Sequence, residues 1–245
     1  MSKRRKCRSR LGDGGRTGSR PIPRLFFWIA LIVVGLTAGA RYAYKRGFLL
    51  SFRPPIQVEQ ILSGIDRNSN GQDDSLDILQ GARAQVQARP VYKSAYYDGG
   101  YPPETEGVCT DLVWRALSEA DYDLKSRIDA DIAKNVEHYP RTEGRPDPNI
   151  DFRRVPNIAA FLTRNAESLT TDIIPWDRDN LVQWRPGDIV IFGRHNDHIG
   201  IVSDKRTRDG TPLVIHHGGG RPVEDNALGY WREEVSGHFR LDPEG

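Results

Sequence analysis

Apolar residues fall into three patterns along the chain. The first is a single block: Leu25 to Ala40 contains no charged residue and is bracketed by Arg24 and Arg41. Sixteen residues rise about 24 Å as a helix, and Trp28, Tyr42, Tyr44 and snorkelling arginines extend that towards the roughly 30 Å of a hydrocarbon core. Residues 25–44 are therefore expected to form a transmembrane anchor. Alternatively they form a signal segment, because Ala38-Gly39-Ala40 fits a small-x-small cleavage site. The second pattern has helical period, briefly over Gln57 to Leu62 and Ser75 to Ala88. It is clearest from Cys109 to about Ala120, where Leu112, Val113, Ala116, Leu117 and Ala120 make one stripe. Asp121 to His138 reads as partly helical and Tyr139 to Asn149 as a loop. Asn157 to Glu167 is an amphipathic helix with Ile158, Phe161 and Leu162 inward. From residue 181 the period drops to two, and Asp188 to Phe192, His198 to Ser203 and Pro212 to His217 read as three β-branched strands. Asp209-Gly210 marks the turn between the last two. Helices followed by strands predict an α+β domain, with the helices packed on one side of an antiparallel sheet.

Charge refines this division. Residues 1–24 carry nine Lys or Arg and one acid, Asp13, which leaves 26 basic and 32 acidic residues in the remainder of the 245-residue chain. A basic, Gly- and Ser-containing tail with no hydrophobic period is expected to be disordered, and the positive-inside rule keeps it in the cytoplasm. Everything after residue 46 then lies across the membrane. The acidic body argues against nucleic acid as a partner, since phosphate binding needs positive charge on the folded face. The expected organisation is thus a tail (1–24), an anchor or signal segment (25–44), a linker and helical region (45–90) and a main domain (91–245). Cys7 lies in the tail, so Cys109 has no partner for an intrachain disulfide in an oxidising compartment.

Cys109 stands at the start of a helix, where exposed backbone N–H groups favour a thiolate and hence a nucleophile. A nucleophilic thiol needs a base within reach and a group that orients the base. His198 opens a strand and shares a face with Gly200 and Val202. His216 and His217 point in opposite directions on the next strand, so one of them can meet His198; His216 is the first choice and His217 the other. Asp111, in the first helical turn, is expected to act as a cap.

The run Gly107-Val108-Cys109-Thr110-Asp111-Leu112-Val113-Trp114-Arg115-Ala116, with Pro186-Gly187-Asp188-Ile189-Val190 and His198-Ile199-Gly200-Ile201-Val202-Ser203-Asp204, resembles the papain-like NlpC clan of bacterial cysteine hydrolases. Within that clan it looks most like an uncharacterised family. The likeness continues through Asn149 to Asn157, Val214 to His217 and Gly237 to Arg240. It departs from the family pattern at His216-His217, where His-Asn is usual, and at Phe152, where His is usual. The resemblance implies a papain-like fold with a nucleophile helix on a sheet, and Cys109, His198 and His216 as the catalytic set. It further implies cell-wall (peptidoglycan) peptides as substrates, which fits the location that the N-terminal segment predicts, a periplasmic domain on the bacterial inner membrane or a secreted one after signal cleavage. No cofactor is required for that chemistry. Arg153, Arg154 and His217 are candidate substrate-binding residues, with structural ion pairs as the alternative for the arginines. The rival functions are a non-catalytic envelope module that binds wall peptides or a partner protein, and acyl transfer by the same pair.

Two metal patterns complete the inventory. His195 and His198 with His216, His217 and Asp197 offer zinc-compatible atoms, but the segment reads as strands joined by a turn, which places His195 in the hairpin loop. Asp66, Asn68, Asn70, Gln72, Asp74 and Asp77 occupy the ligand positions of a twelve-residue calcium loop, with Asp at its end in place of Glu. An Asx-rich turn that caps the following helix explains the same residues.

Overall fold

The structure, a computed structural model, describes residues 24–45 and 53–241. The chain divides into two units, residues 1–53 and 54–245. The basic tail expected to be disordered lies outside the described residues, apart from Arg24. In the first unit the uncharged run forms α1 (Arg24–Lys45). Among the described residues no helix is long and apolar enough to cross a membrane. The segment at 25–44, expected to be an anchor or a signal segment, is present as a helix.

The second unit begins with an extended stretch. Gln57 to Leu62 is not helical, because six residues cannot repay helix nucleation, and the strand–turn region fixes this stretch from outside. Ile56 N–H donates to the Arg208 carbonyl at 3.1 Å and Gln60 Nε2 to the Asp204 carbonyl at 2.7 Å. Helix α2 (Asp74–Ala88) starts at Asp73, whose carboxylate accepts the Ser75 N–H. Two short strands, β1 (Val91–Tyr92) and β2 (Glu106–Gly107), pair in parallel ahead of α3 (Cys109–Ser118). There follow α4 (Leu124–Asn135), α5 (Val155–Asn165), β3 (Ala166–Ser168), α6 (Arg178–Leu181), β4 (Ile189–Phe192), β5 (His198–Arg206), β6 (Pro212–His216), β7 (Val223–Asp225), α7 (Ala227–Tyr230) and β8 (Val235–Leu241).

The fold is α+β with an antiparallel six-stranded sheet in the order β3-β8-β4-β5-β6-β7. The run Ile189-Val190-Ile191-Phe192 is apolar throughout because both faces of this sheet are covered. Ile189, Ile191, Ile199, Ile201 and Ile215 pack with α2, α3, α4 and α5 through Leu79, Leu112, Val113, Ile128 and Leu162. Val190, Phe192, Val202 and Val214 face the other way, against Trp184, Ala227 and Leu228. The large helices thus share one side, as the pattern predicts, while the short α7 and Trp184 close the second.

Candidate active site

The site begins with how α3 starts. Its N-cap residue, Val108, has no side-chain acceptor, so Asp111 supplies half of a capping box by accepting the Val108 N–H at 2.8 Å. The same carboxylate, fully buried, accepts Trp114 Nε1 at 2.9 Å and both Nε and Nη2 of Arg153, at 2.7 and 2.8 Å. Arg153 also donates to the Ala95 carbonyl at 2.8 Å and lies over the Tyr97 ring, while Thr110 Oγ1 donates to the Arg153 carbonyl at 3.1 Å. The first turn of α3 is therefore fixed from beneath by a bidentate ion pair. This corrects the expected substrate role of Arg153: its side chain is 4% exposed and its guanidinium is already engaged. Arg154 lies nearer solvent, donating to Asp151 at 3.0 Å and to the Arg141 carbonyl.

Cys109 is a free cysteine, 5% exposed, in the helix-side core. Burial pushes its thiol up to about 11; N–H groups of Ile199 and Thr110 directed at the sulfur oppose that rise without overcoming it. The helix-start argument for an ionised resting thiol therefore fails here, because removing a thiolate from water costs more than the helix N–H groups return. The two side chains stand on different faces of the sheet: Cys109 packs with Ile199 and Ile201, whereas His198, paired with Phe192, shares the face of Val202 and Trp231. The sulfur sits on the backbone N–H of Ile199, the residue that follows His198. Among the described residues, the thiol makes no hydrogen bond to an imidazole.

His198 leads off β5, paired with Phe192 on β4. Its Nε2 lies 2.8 Å from Nδ1 of His216, the proposed orienting residue. Gly200 makes this contact sterically accessible. A Cβ there would come within 2.6 Å of Val214 Cγ1 and 3.0 Å of His216 Cβ, so glycine is what lets the neighbouring strand approach this closely. Burial pushes His198 down to about 4 and lowers His216 as well, although Asp225 opposes the latter shift. Three further residues complete the cluster, and sequence reasoning missed all of them. Asp225 Oδ1 lies 3.2 Å from His216 Nε2, Tyr230 Oη donates to Asp225 at 2.9 Å, and the Trp231 ring meets His198 and His216 edge-on at 5.3 and 5.6 Å. Their only signal was position: β7 is three residues long and has no apolar alternation.

His217 takes the opposite direction, as the strand period requires. It is fully buried, its ring meets Tyr92 edge-on at 5.1 Å, and its Nε2 has no hydrogen-bond partner. His195 is exposed in the turn between β4 and β5, away from any ligand set; among the described residues no group of three or more His, Cys, Asp or Glu could hold a metal ion. In the loop at 66–77, Asn68 and Asn70 donate to Asp77 Oδ2 at 3.0 and 2.9 Å and Gln72 donates to Asp77 Oδ1. Asp66 accepts the Asn70 and Gly71 N–H groups, and Asp74 accepts the Arg67 N–H. Four of the six calcium candidates, Asn68, Asn70, Gln72 and Asp77, thus meet at the Asp77 carboxylate, while Asp66 serves backbone N–H groups of the turn and Asp74 serves Arg67.

Comparison with known proteins adds kinship to this geometry. The family model described as "Domain of unknown function (DUF1287)" matches residues 79–241, a range that contains the thiol, the imidazoles and Asp225. The chain is also 40% identical over 195 residues to the uncharacterized protein YijF of Escherichia coli (strain K12), an alignment that covers 76% of this chain and 86% of that protein.

Proposed function

Given that the chain belongs to the DUF1287 family, its activity must be read from its own site, and we propose a cysteine hydrolase that cleaves amide bonds in cell-wall peptides. The observation that carries the proposal is the placement of a lone thiol on the backbone N–H beside His198, an imidazole that a second imidazole holds at 2.8 Å. Because the thiol rests protonated, the proton moves as the substrate is attacked. Sγ bonds to the carbonyl carbon while His198 takes the thiol proton. The tetrahedral intermediate then expels the amine, which leaves with that proton, and a thioester remains. Water adds to the thioester with His198 again as base, releasing a carboxylic acid and restoring the thiol. For this to proceed, Sγ and the imidazole must close together at the start of β5 when substrate enters.

The wall-peptide assignment is supported by the resemblance of the Cys109, Pro186 and His198 segments to the NlpC clan. The uncharged run in α1, behind a basic tail, supports placing the body outside the cytoplasm, on an anchor or after a cleaved leader. Arg154, whose side chain is 32% exposed, is the candidate substrate contact that reaches solvent.

Burial of Cys109 favours a second reading, a non-catalytic module that binds wall peptides in the same place. Full-length protein incubated with purified muropeptides separates the two. Hydrolysis by the wild type that is lost in Cys109→Ala supports the enzyme. Binding without product, or cleavage unchanged in Cys109→Ala, removes it. A new amide or ester among the products points to acyl transfer.

A further inference from the structure

We infer that Asp225, held by Tyr230, is a positioning residue that decides which nitrogen of His198 is basic. The functional meaning of this inference rests on the hydrolase reading, but the proton arrangement itself does not.

The argument runs outward to inward through three contacts. A carboxylate oxygen carries lone pairs only, so the 3.2 Å contact of Asp225 Oδ1 with His216 Nε2 requires the hydrogen to be on Nε2. Burial lowers the affinity of both imidazoles for a second proton, so each ring carries one N–H near neutral pH. With its hydrogen on Nε2, His216 presents a lone pair at Nδ1. The 2.8 Å contact with His198 Nε2 then needs its hydrogen from His198. His198 is left with an N–H at Nε2 and a free lone pair at Nδ1, the nitrogen available to take a proton from the thiol.

The fold supplies this chain of contacts by register. His216 pairs with Val223, and Asp225, two residues further along β7, is its diagonal neighbour on the same face. Asp225 is 41% exposed and would otherwise swing into solvent. Tyr230 Oη prevents that by reaching both of its oxygens, at 2.9 and 3.1 Å. Trp231 covers both imidazoles edge-on and limits water from competing for their hydrogens. Without the carboxylate, His216 is free to carry its hydrogen on Nδ1 and donate it to His198 Nε2. That reversal places the His198 hydrogen on Nδ1 and removes the base.

The test is an imidazole nitrogen NMR spectrum of the full-length protein near neutral pH, which reads the tautomer without turnover. Expected are His198 and His216 both as Nε2–H tautomers in the wild type and in Asp225→Asn, whose amide oxygen still accepts. In Asp225→Ala, His198 shifts towards the Nδ1–H form and muropeptide cleavage falls by roughly tenfold or more, the scale of losing an oriented base. A wild-type His198 protonated at Nδ1 overturns the inference, even if Asp225→Ala does not fold. So does an unchanged tautomer in a folded Asp225→Ala. An intact relay in a protein that cleaves nothing would instead refute the hydrolase reading and leave the relay standing.

Discussion

Replacing Asp111 by Ala tests whether the first turn of α3 is held by the ion pair beneath it. The carboxylate accepts four hydrogen bonds: one from Val108 N–H, one from Trp114 Nε1 and two from Arg153. Its loss leaves a buried guanidinium without a counter-charge, which costs about 3–5 kcal/mol, and two orphaned neutral donors add to that. Against a total stability of about 5–15 kcal/mol, the variant should be marginal. Arg153→Met should cost about as much, because it leaves the carboxylate buried and unpaired. Asp111→Ala/Arg153→Met should lose at least about 2 kcal/mol less than the sum of the two single changes, since residues in contact do not behave additively. Urea unfolding at constant m-value measures each corner of the cycle. A loss below about 1 kcal/mol in Asp111→Ala, or strict additivity in the double variant, would refute the reasoning. Arg153→Met that unfolds like the wild type but binds wall peptide poorly would return Arg153 to the substrate.

Two other sites give independent checks. Burial pushes Glu224 up, but hydrogen bonds from Arg83, Lys205 and Ser203 outweigh this and hold it down at about 2. A depressed carboxyl contributes stability that is fully present above its ordinary value of 4.5 and is lost as pH falls through about 2. The Tm gap between wild type and Glu224→Gln should therefore be full near neutral pH and close across that acid interval; a gap constant with pH would show that the charge contributes nothing. At residues 66–77, calcium would require the Asn68 and Asn70 amides to turn their oxygens inward, so that a cation replaces their N–H groups as the partner of Asp77. Saturating calcium should then raise the wild-type Tm, by the equivalent of about 2.7 kcal/mol at a hundredfold excess over Kd, and leave Asp77→Ala unmoved. No rise in the wild type assigns the loop to capping alone.

What could be read from the chain was what local period determines. Strands β4, β5 and β6 and helix α3 were all visible as repeats of two or 3.6, and so were the positions of Cys109, His198 and His216 at element ends. Local period failed where a partner had to come from elsewhere. Gln57 to Leu62 matches a helix in pattern but is not helical, because partners elsewhere hold this part of the chain: the Asp204 carbonyl takes Gln60 Nε2 and the Arg208 carbonyl takes the Ile56 N–H. The choice between a substrate contact and an ion pair for Arg153 could not be made locally, because Asp111 is 42 positions away. Asp225 was invisible because β7 has no alternation of its own and is ordered by pairing with β6.

Cys109 shows the same boundary inside a single side chain. The helix N-terminus that should lower its pKa is written in the ten residues around it, whereas the strand that buries it, opening at His198, lies far along the sequence. The two effects have opposite sign, and the distant one wins at rest. Under the proposed hydrolase reading, a thiol in that position needs a base held ready in the correct tautomer, because it cannot rely on a standing negative charge. The contacts that set that tautomer run from a carboxylate on β7 through His216 to His198.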